Sequence, residues 1–232
     1  MADSLVEQCS KLHIGNDEDD IIDLGDKLEV GQEDKLSLQL VGHLLTEKPL
    51  NFETLKHTMM HVWSVMEGVI VRALESNLFM FQFFHWKDKD KILSGRPWCF
   101  EQRLLILQEI NKDIQPSHMT LIFSPFWIRL YNLPFGCRLD EKVKAVARGL
   151  GEVLEVEEDF LDLYPYRRVR VLLDCTKPLK RFQNNRVRGG VMVKISIKYE
   201  RIPHFCFHCG HMSHLEKDCL IVNDEDEEYE TG

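Results

Sequence analysis

The feature that most narrows what this chain can fold into is a short string near its C-terminal end, CFHCGHMSHLEKDC. It sets Cys206, Cys209, His214 and Cys219 at the spacing Cys-x2-Cys-x4-His-x4-Cys. Two residues between cysteines let one tight turn aim both sulfurs at a single ion, and Gly210, directly after the second sulfur, permits the backbone dihedrals such a turn needs. The two four-residue gaps then bring an imidazole and a third thiolate round to close a tetrahedron. Three thiolates and a neutral imidazole fill every position around one zinc ion, so no site stays open for a catalytic water and the metal is expected to be structural. A loop this short has no apolar core of its own, and metal binding is expected to supply its folding energy, on the order of 10 kcal/mol or more. His204, His208 and His211 lie close by, but none preserves the symmetry of the two gaps, and they are assigned to the surface. Cys9, Cys99, Cys137 and Cys175 are scattered and read as tail or core thiols.

Charge is segregated along the chain in a way that the net value of −9 conceals. Residues 1–35 hold eleven acids against three lysines, and residues 220–232 hold six acids and no base. Between them the balance is positive, and from Pro165 to Phe205 eleven Lys or Arg face only Asp174 and Glu200. Within this run Arg167, Arg168, Arg170, Lys180, Arg181, Arg186, Arg188, Lys194, Lys198 and Arg201 are the candidate phosphate contacts, since clustered cations are the footprint of a surface that meets a polyanion.

The rest of the chain reads as soluble and globular. Its hydrophobic and charged fractions, 44% and 29%, are ordinary, no apolar run reaches the length of a membrane span, and the acidic N-terminus resembles neither a signal nor a transit peptide. A nuclear or cytoplasmic protein, not secreted, is expected, with reduced cysteines.

Hydropathy patterning predicts five segments: an acidic disordered tail over 1–34, an α+β module over 35–115, a second α+β module with a basic C-terminal half over 125–200, the zinc loop over 201–221 and an acidic tail over 222–232. In the first module Leu36, Leu38 and Leu40 alternate as in a strand. Phe52 to Val65 has helical spacing after a candidate N-cap at Asn51, while Val69–Ala73 and Leu78–Phe84 read as strands. Lys87 to Gly95 reads as a helix with a glycine cap, and Cys99–Leu107 as one further strand. The second half repeats the pattern: a strand over Trp127–Leu133, a helix from Asp140, strands over Val153–Val156 and Val169–Leu173, a short helix over Lys177–Asn184 and a strand over Val191–Tyr199. The expected fold class is α+β, with one or two ferredoxin-like (βαββαβ) modules followed by the zinc loop. Phe79, Phe81 and Phe83 share one face and are expected to be core.

The zinc loop resembles the CCHC zinc knuckles of retroviral nucleocapsid and retrotransposon proteins, matching their aromatic after the first cysteine (Phe207), glycine after the second (Gly210) and apolar residue after the histidine (Leu215), but with Ser213 where glycine is usual. In such knuckles the two apolar side chains form a platform for an unpaired base, which makes Phe207 and Leu215 the candidates here. Upstream, LFMFQFFHWKDKDKILSGRPWCFEQRLLIL, FWIRLYNLPFGCRLDEKVKAVARGLGEVLEVE and RVRVLLD resemble the plant DUF4283 family, over about residues 35–220. That family is similar to the first-open-reading-frame proteins of LINE-type retrotransposons. The resemblance implies nucleic-acid binding and supplies no established activity.

The functional expectation is a zinc-binding, non-enzymatic protein that holds single-stranded RNA or DNA, with no membrane or small-molecule partner. The alternative is a protein-interaction adaptor whose zinc loop only braces the fold. Nothing in the sequence groups a nucleophile with a base or forms a phosphate-cradling glycine loop, so catalysis is not expected. Ile128 to Leu133, IRLYNL, resembles the first-strand motif of the RNA-recognition-motif fold. Arg129 stands where that motif has an aromatic, however, and the strand around Arg170 has none, so sequence alone assigns base stacking to neither sheet.

Overall fold

The computed structural model describes residues 32–46, 48–159 and 164–221. The acidic tails expected over 1–34 and 222–232 lie almost wholly outside these residues. The chain divides into a unit Met1–Glu33 and a unit Asp34–Gly232, and the second carries both modules.

The first module runs α1 (Gln32–Ser37), β1 (Gln39–Leu44), α2 (Phe52–Trp63), β2 (Val69–Glu75), β3 (Leu78–Phe83), α3 (Trp86–Ser94), β4 (Trp98–Phe100) and β5 (Arg103–Glu109). Its five strands form one antiparallel sheet in the order β2-β3-β1-β5-β4. Asn51 caps α2 as expected, its side chain accepting from the Thr54 amide at 3.1 Å. The helix ends at Ser64, which takes a left-handed φ of 46° and closes the last turn onto the Met60 carbonyl. Asp88 in α3 is buried and accepts the Met66 and Glu67 amides at 3.1 and 3.0 Å, fastening the α2–β2 connection.

One face of this sheet is packed by its helices. Leu40 and Leu44 of β1, Phe79, Phe81 and Phe83 of β3, and Leu105 and Leu107 of β5 meet Leu55, Met59 and Trp63 of α2 and Ile92 of α3. The phenylalanine stripe is therefore core, as its spacing predicts. Trp63 sits edge-on to Phe81, 5.1 Å between ring centroids, and to Trp98 at 6.1 Å. Gly42 leaves room for this packing, because a Cβ there would stand 2.6 Å from the Phe81 ring.

The second module comprises β6 (Phe123–Tyr131), α4 (Asp140–Ala147), β7 (Glu152–Val156), β8 (Tyr166–Asp174), β9 (Phe182–Arg186) and β10 (Met192–Tyr199). Its sheet, also antiparallel, has the order β7-β8-β6-β10-β9. Alternation along β6, β8 and β10 buries Phe126, Ile128, Leu130, Val169, Val171, Ile195 and Ile197 against Val143 and Ala147 of α4. Val41, Leu78, Leu104 and Ile106, from the helix-free face of the first sheet, belong to the same cluster. The two modules thus share a core.

Three sequence expectations are corrected. The alternation Leu36–Leu38–Leu40 is not one strand: residues 32–37 are helical, and the strand begins at Gln39, where β3 and β5 flank it. The run Cys99–Leu107 is broken by Glu101 and Gln102 at φ 47° and 62°, a two-residue turn that folds β4 back onto β5. The helix expected over Lys177–Asn184 does not form. The Leu179 amide instead donates to the Gly210 carbonyl of the zinc loop, the Lys180 backbone hydrogen-bonds with the Tyr199 hydroxyl, and Phe182–Arg186 adds as an edge strand to β10. Among the described residues the second module therefore has one α-helix where the pattern predicts two.

Candidate metal centre and nucleic-acid interface

The turn Cys206 to Gly210 is closed by the Gly210 amide on the Cys206 carbonyl at 2.8 Å, with Gly210 at φ +81°. The Cys206 amide donates to the His211 carbonyl at 2.8 Å, which fixes the return of the chain. A 3-10 turn over Glu216–Asp218, with the Cys219 amide on the Glu216 carbonyl at 3.0 Å, then delivers the last thiol. The outcome is that one donor atom from each of Cys206, Cys209, His214 and Cys219 lies within 4.8 Å of all the others. Zinc at about 2.3 Å from sulfur and 2.0–2.1 Å from nitrogen places tetrahedral donors about 3.5–3.8 Å apart. The residues therefore fit a zinc ion with small adjustment. Cys206 and Cys219 are buried, Cys209 and His214 half-buried.

The electrostatics of the cluster ask for a cation. Burial opposes ionisation of Cys206, but the Cys209 amide, the Cys209 thiol and the His208 amide donate toward its sulfur and hold its pKa below the ordinary value. The Cys209 thiol is pushed up, first by burial and then by the neighbouring sulfurs of Cys206 and Cys219. Three thiolates cannot share so small a volume without a positive ion between them. His214 presents Nε2 to Cys209 Sγ at 3.3 Å, while its Nδ1 lies 3.1 Å from the Ser213 hydroxyl. The serine found in place of the usual glycine thus orients the imidazole. His211 Nδ1 lies 3.4 Å from Cys209 Sγ, a neighbour of the cluster outside the four-donor set and closer than its assignment to the surface implies.

The loop is not an appendage. Met212 is 3% exposed and belongs to the second module's core, with Phe205 packed against it. The Leu179 amide donates to the Gly210 carbonyl at 2.9 Å, and the His204 amide reaches the Gln102 carbonyl of the β4–β5 turn at 2.8 Å. Lys48 pairs with Asp218 at 2.8 Å.

Phe207 is 76% exposed, its ring 4.6 Å from that of Phe205, and it lines a cleft of about 520 Å³ together with Lys180, Arg181 and Lys198. Leu215, 38% exposed, lines a different cleft beside Lys48 and Arg103. Of the predicted cations, Lys180, Arg181, Arg186, Arg188, Lys194, Lys198 and Arg201 are exposed. Arg168 and Arg170 are half-buried. Arg167 is corrected out of the phosphate-contacting set: it is buried on the core side of β8, where Nη2 pairs with Asp140 at 2.6 Å and donates to the Glu157 carbonyl at 3.1 Å.

What sequence reading missed is the solvent side of the second sheet, where Trp127, Tyr131, Tyr166 and Phe182 stand among Arg129, Arg168, Lys194 and Lys198. Arg129 and Arg168 both donate to Glu200, at 2.6 Å and at 3.0 and 2.8 Å, and Arg168 also reaches Glu157 at 2.5 Å. The Arg168 guanidinium beside Glu200, followed by that of Arg129, holds the Glu200 carboxyl below the usual carboxylate range. The signal for this face was present in the alternation of β6, β8 and β10, but it becomes visible only once the strands are paired.

Two family models match parts of the chain. Residues 32–118 match a family model described as a domain of unknown function, DUF4283, and residues 173–221 match one described as a zinc knuckle. The chain is 26% identical over 136 residues to an uncharacterized protein of Arabidopsis thaliana, At4g02000; the match spans 57% of this chain and 42% of that protein, so the chain covers less than half of its relative. By sequence and donor geometry together, the chain carries a DUF4283 domain followed by a CCHC-type zinc knuckle.

Proposed function

We propose that the protein is a non-enzymatic binder of single-stranded nucleic acid, in which the zinc knuckle holds one structural ion and presents Phe207 to a base while neighbouring cations hold phosphates. The observation that carries this reading is the cleft where exposed Phe207 stands with Lys180, Arg181 and Lys198, beside a four-donor cluster that leaves no coordination position for a reacting water. Retrotransposon ancestry fits the same reading, since the sequence resembles LINE-type first-open-reading-frame proteins. We read both modules as ferredoxin-like. Support comes from the order β2-β3-β1-β5 on a βαββαβ path in the first, and from the matching order β7-β8-β6-β10 in the second with its later helix replaced by a loop.

The test is fluorescence anisotropy of labelled single-stranded RNA and DNA with zinc-loaded protein across a salt series. The expected slope of log Kobs against log salt is roughly −0.7 per phosphate contacted. A Phe207→Ala variant, whose side chain is outside the core, is expected to bind roughly tenfold more weakly at an unchanged slope. Absence of binding at low salt would refute the reading and leave the adaptor as the working alternative.

A further inference from the structure

We infer a second nucleic-acid contact surface, resting on the reading above: the solvent face of the β7-β8-β6-β10-β9 sheet, which is built to stack unpaired bases on a row of rings and hold their phosphates on a parallel row of cations. The register makes the rows. Phe182 pairs with Ser196, Ser196 with Tyr131, and Tyr131 with Tyr166, so three rings and a hydroxyl cross four adjacent strands in line. One step along the strands, Lys198 pairs with Arg129 and Arg129 with Arg168, a line of three cations. One step further, Trp127 pairs with Arg170. Each step is two residues, about 7 Å, and all these side chains share the face opposite the core because alternation puts their neighbours inside.

The rings and cations are already engaged with one another. Lys194 stands 3.8 Å from the centroid of Phe182, Lys198 4.7 Å from Tyr131, Arg129 4.8 Å from Tyr166 and Arg168 4.0 Å from Trp127. Tyr131 and Tyr166 have centroids 5.2 Å apart, and Tyr164 extends the row at 5.7 Å from Tyr166. A base can stack on an aromatic ring or on a guanidinium plane, and both surfaces are present at successive positions. Charge points to the occupant. Charge is segregated across the face: Arg129, Lys194, Lys198 and Arg186 stand on β6, β10 and β9 with Glu200 beside them, whereas Glu152, Glu155 and Asp174 collect on β7 and the far end of β8. On the β6-β10-β9 side the cations outnumber the one neighbouring carboxylate, and a polyanion lying across these strands supplies the negative groups they lack. Glu200 holds the two central guanidiniums in place, which lowers the entropy lost when a strand docks.

The occupant is a single strand, because bases paired in a duplex cannot lie flat on the rings. The test compares zinc-loaded wild type, Phe207→Ala and the double variant Tyr131→Leu, Tyr166→Leu, which keeps apolar bulk but removes two stacking rings. The probes are a labelled twelve-nucleotide oligouridine, the matching oligothymidine and a duplex of equal length. The double variant is expected to bind either single strand ten- to a hundred-fold more weakly with the salt slope unchanged, and the duplex is expected to bind more weakly than both. Loss on Phe207→Ala with the double variant within twofold of wild type would overturn the sheet surface and leave the knuckle reading standing. Equal affinity for the duplex would also overturn it, while failure of wild type to bind any probe would remove both readings. Should the double variant melt prematurely, photo-crosslinking of 4-thiouridine RNA to wild-type protein decides: adducts on peptides of β6 and β8 support the surface, and adducts confined to residues 205–221 refute it.

Discussion

Replacing Met212 with alanine tests whether the zinc loop is part of the upstream fold. Met212 lies between the first two ligands, Cys206 and Cys209, and the third, His214, yet its side chain is 3% exposed and packed in the core that both sheets share. Truncating a buried methionine costs about 2–5 kcal/mol, the transfer energy of the lost methylenes and sulfur plus the cavity left behind. Taking about 3 kcal/mol, and about 2–4 °C of melting temperature per kcal/mol for a unit the size of residues 34–232, the zinc-loaded variant is expected to melt about 6–12 °C below wild type. Circular dichroism at the β-sheet minimum is the assay, because it reports the sheets and not the loop. Zinc affinity measured by competition with a chromophoric chelator is expected to fall as well, since binding and docking are linked. A shift below about 2 °C in the zinc-loaded protein would refute the reasoning, and would mean that the knuckle hangs from the chain as an independent bead.

The same docking predicts that chelating zinc lowers the melting temperature of the whole sheet transition, and that adding zinc back restores it. Alkylation at pH 8 followed by mass spectrometry is expected to leave Cys175 unmodified in the folded protein, because burial pushes its thiol up to about 12, while the zinc-loop cysteines become reactive once zinc is removed and the loop loses its fold. Asp88→Ala is expected to destabilise by about 2–3 kcal/mol in urea melts, because it strips the Met66 and Glu67 amides of a buried acceptor. Glu200 has a depressed folded-state pKa, so its ion triad contributes stability above the unfolded carboxylate value, about 4.3, and loses it as pH falls through the lower folded value. Glu200→Gln is accordingly expected to cost about 1 kcal/mol at pH 7, discounted for partial exposure, and progressively less as the pH falls below the unfolded carboxylate value, as read from urea melts across a pH series.

The metal centre was legible in the sequence because its four donors lie within fourteen residues and their geometry follows from spacing alone. Helices with strong caps were legible too: Asn51 starts α2 and Gly95 ends α3 where local chemistry dictates. The failures have a common cause in long-range pairing. Whether Leu36 or Leu40 lies in a strand depends on β3 and β5, and nothing local marks Glu101-Gln102 as a turn, since neither residue favours positive φ. The basic run was found correctly as charge, but strand register decided its roles, sending Arg167 to Asp140 and Arg168 to the open face one residue later. The ring row was invisible for the same reason, as Phe182, Tyr131 and Tyr166 come from three separated segments.

The shared core has a consequence for how this protein could have been assembled. Sequence relatedness to the DUF4283 model stops at residue 118, yet Val41, Leu104 and Ile106 before that point are buried by residues after it. A fragment cut there would present a bare apolar sheet face to water and tend to associate with any similar surface. The first module is thus inheritable as a recognisable unit but not separable as a soluble one, and wherever it occurs with this face intact, some companion segment must cover it.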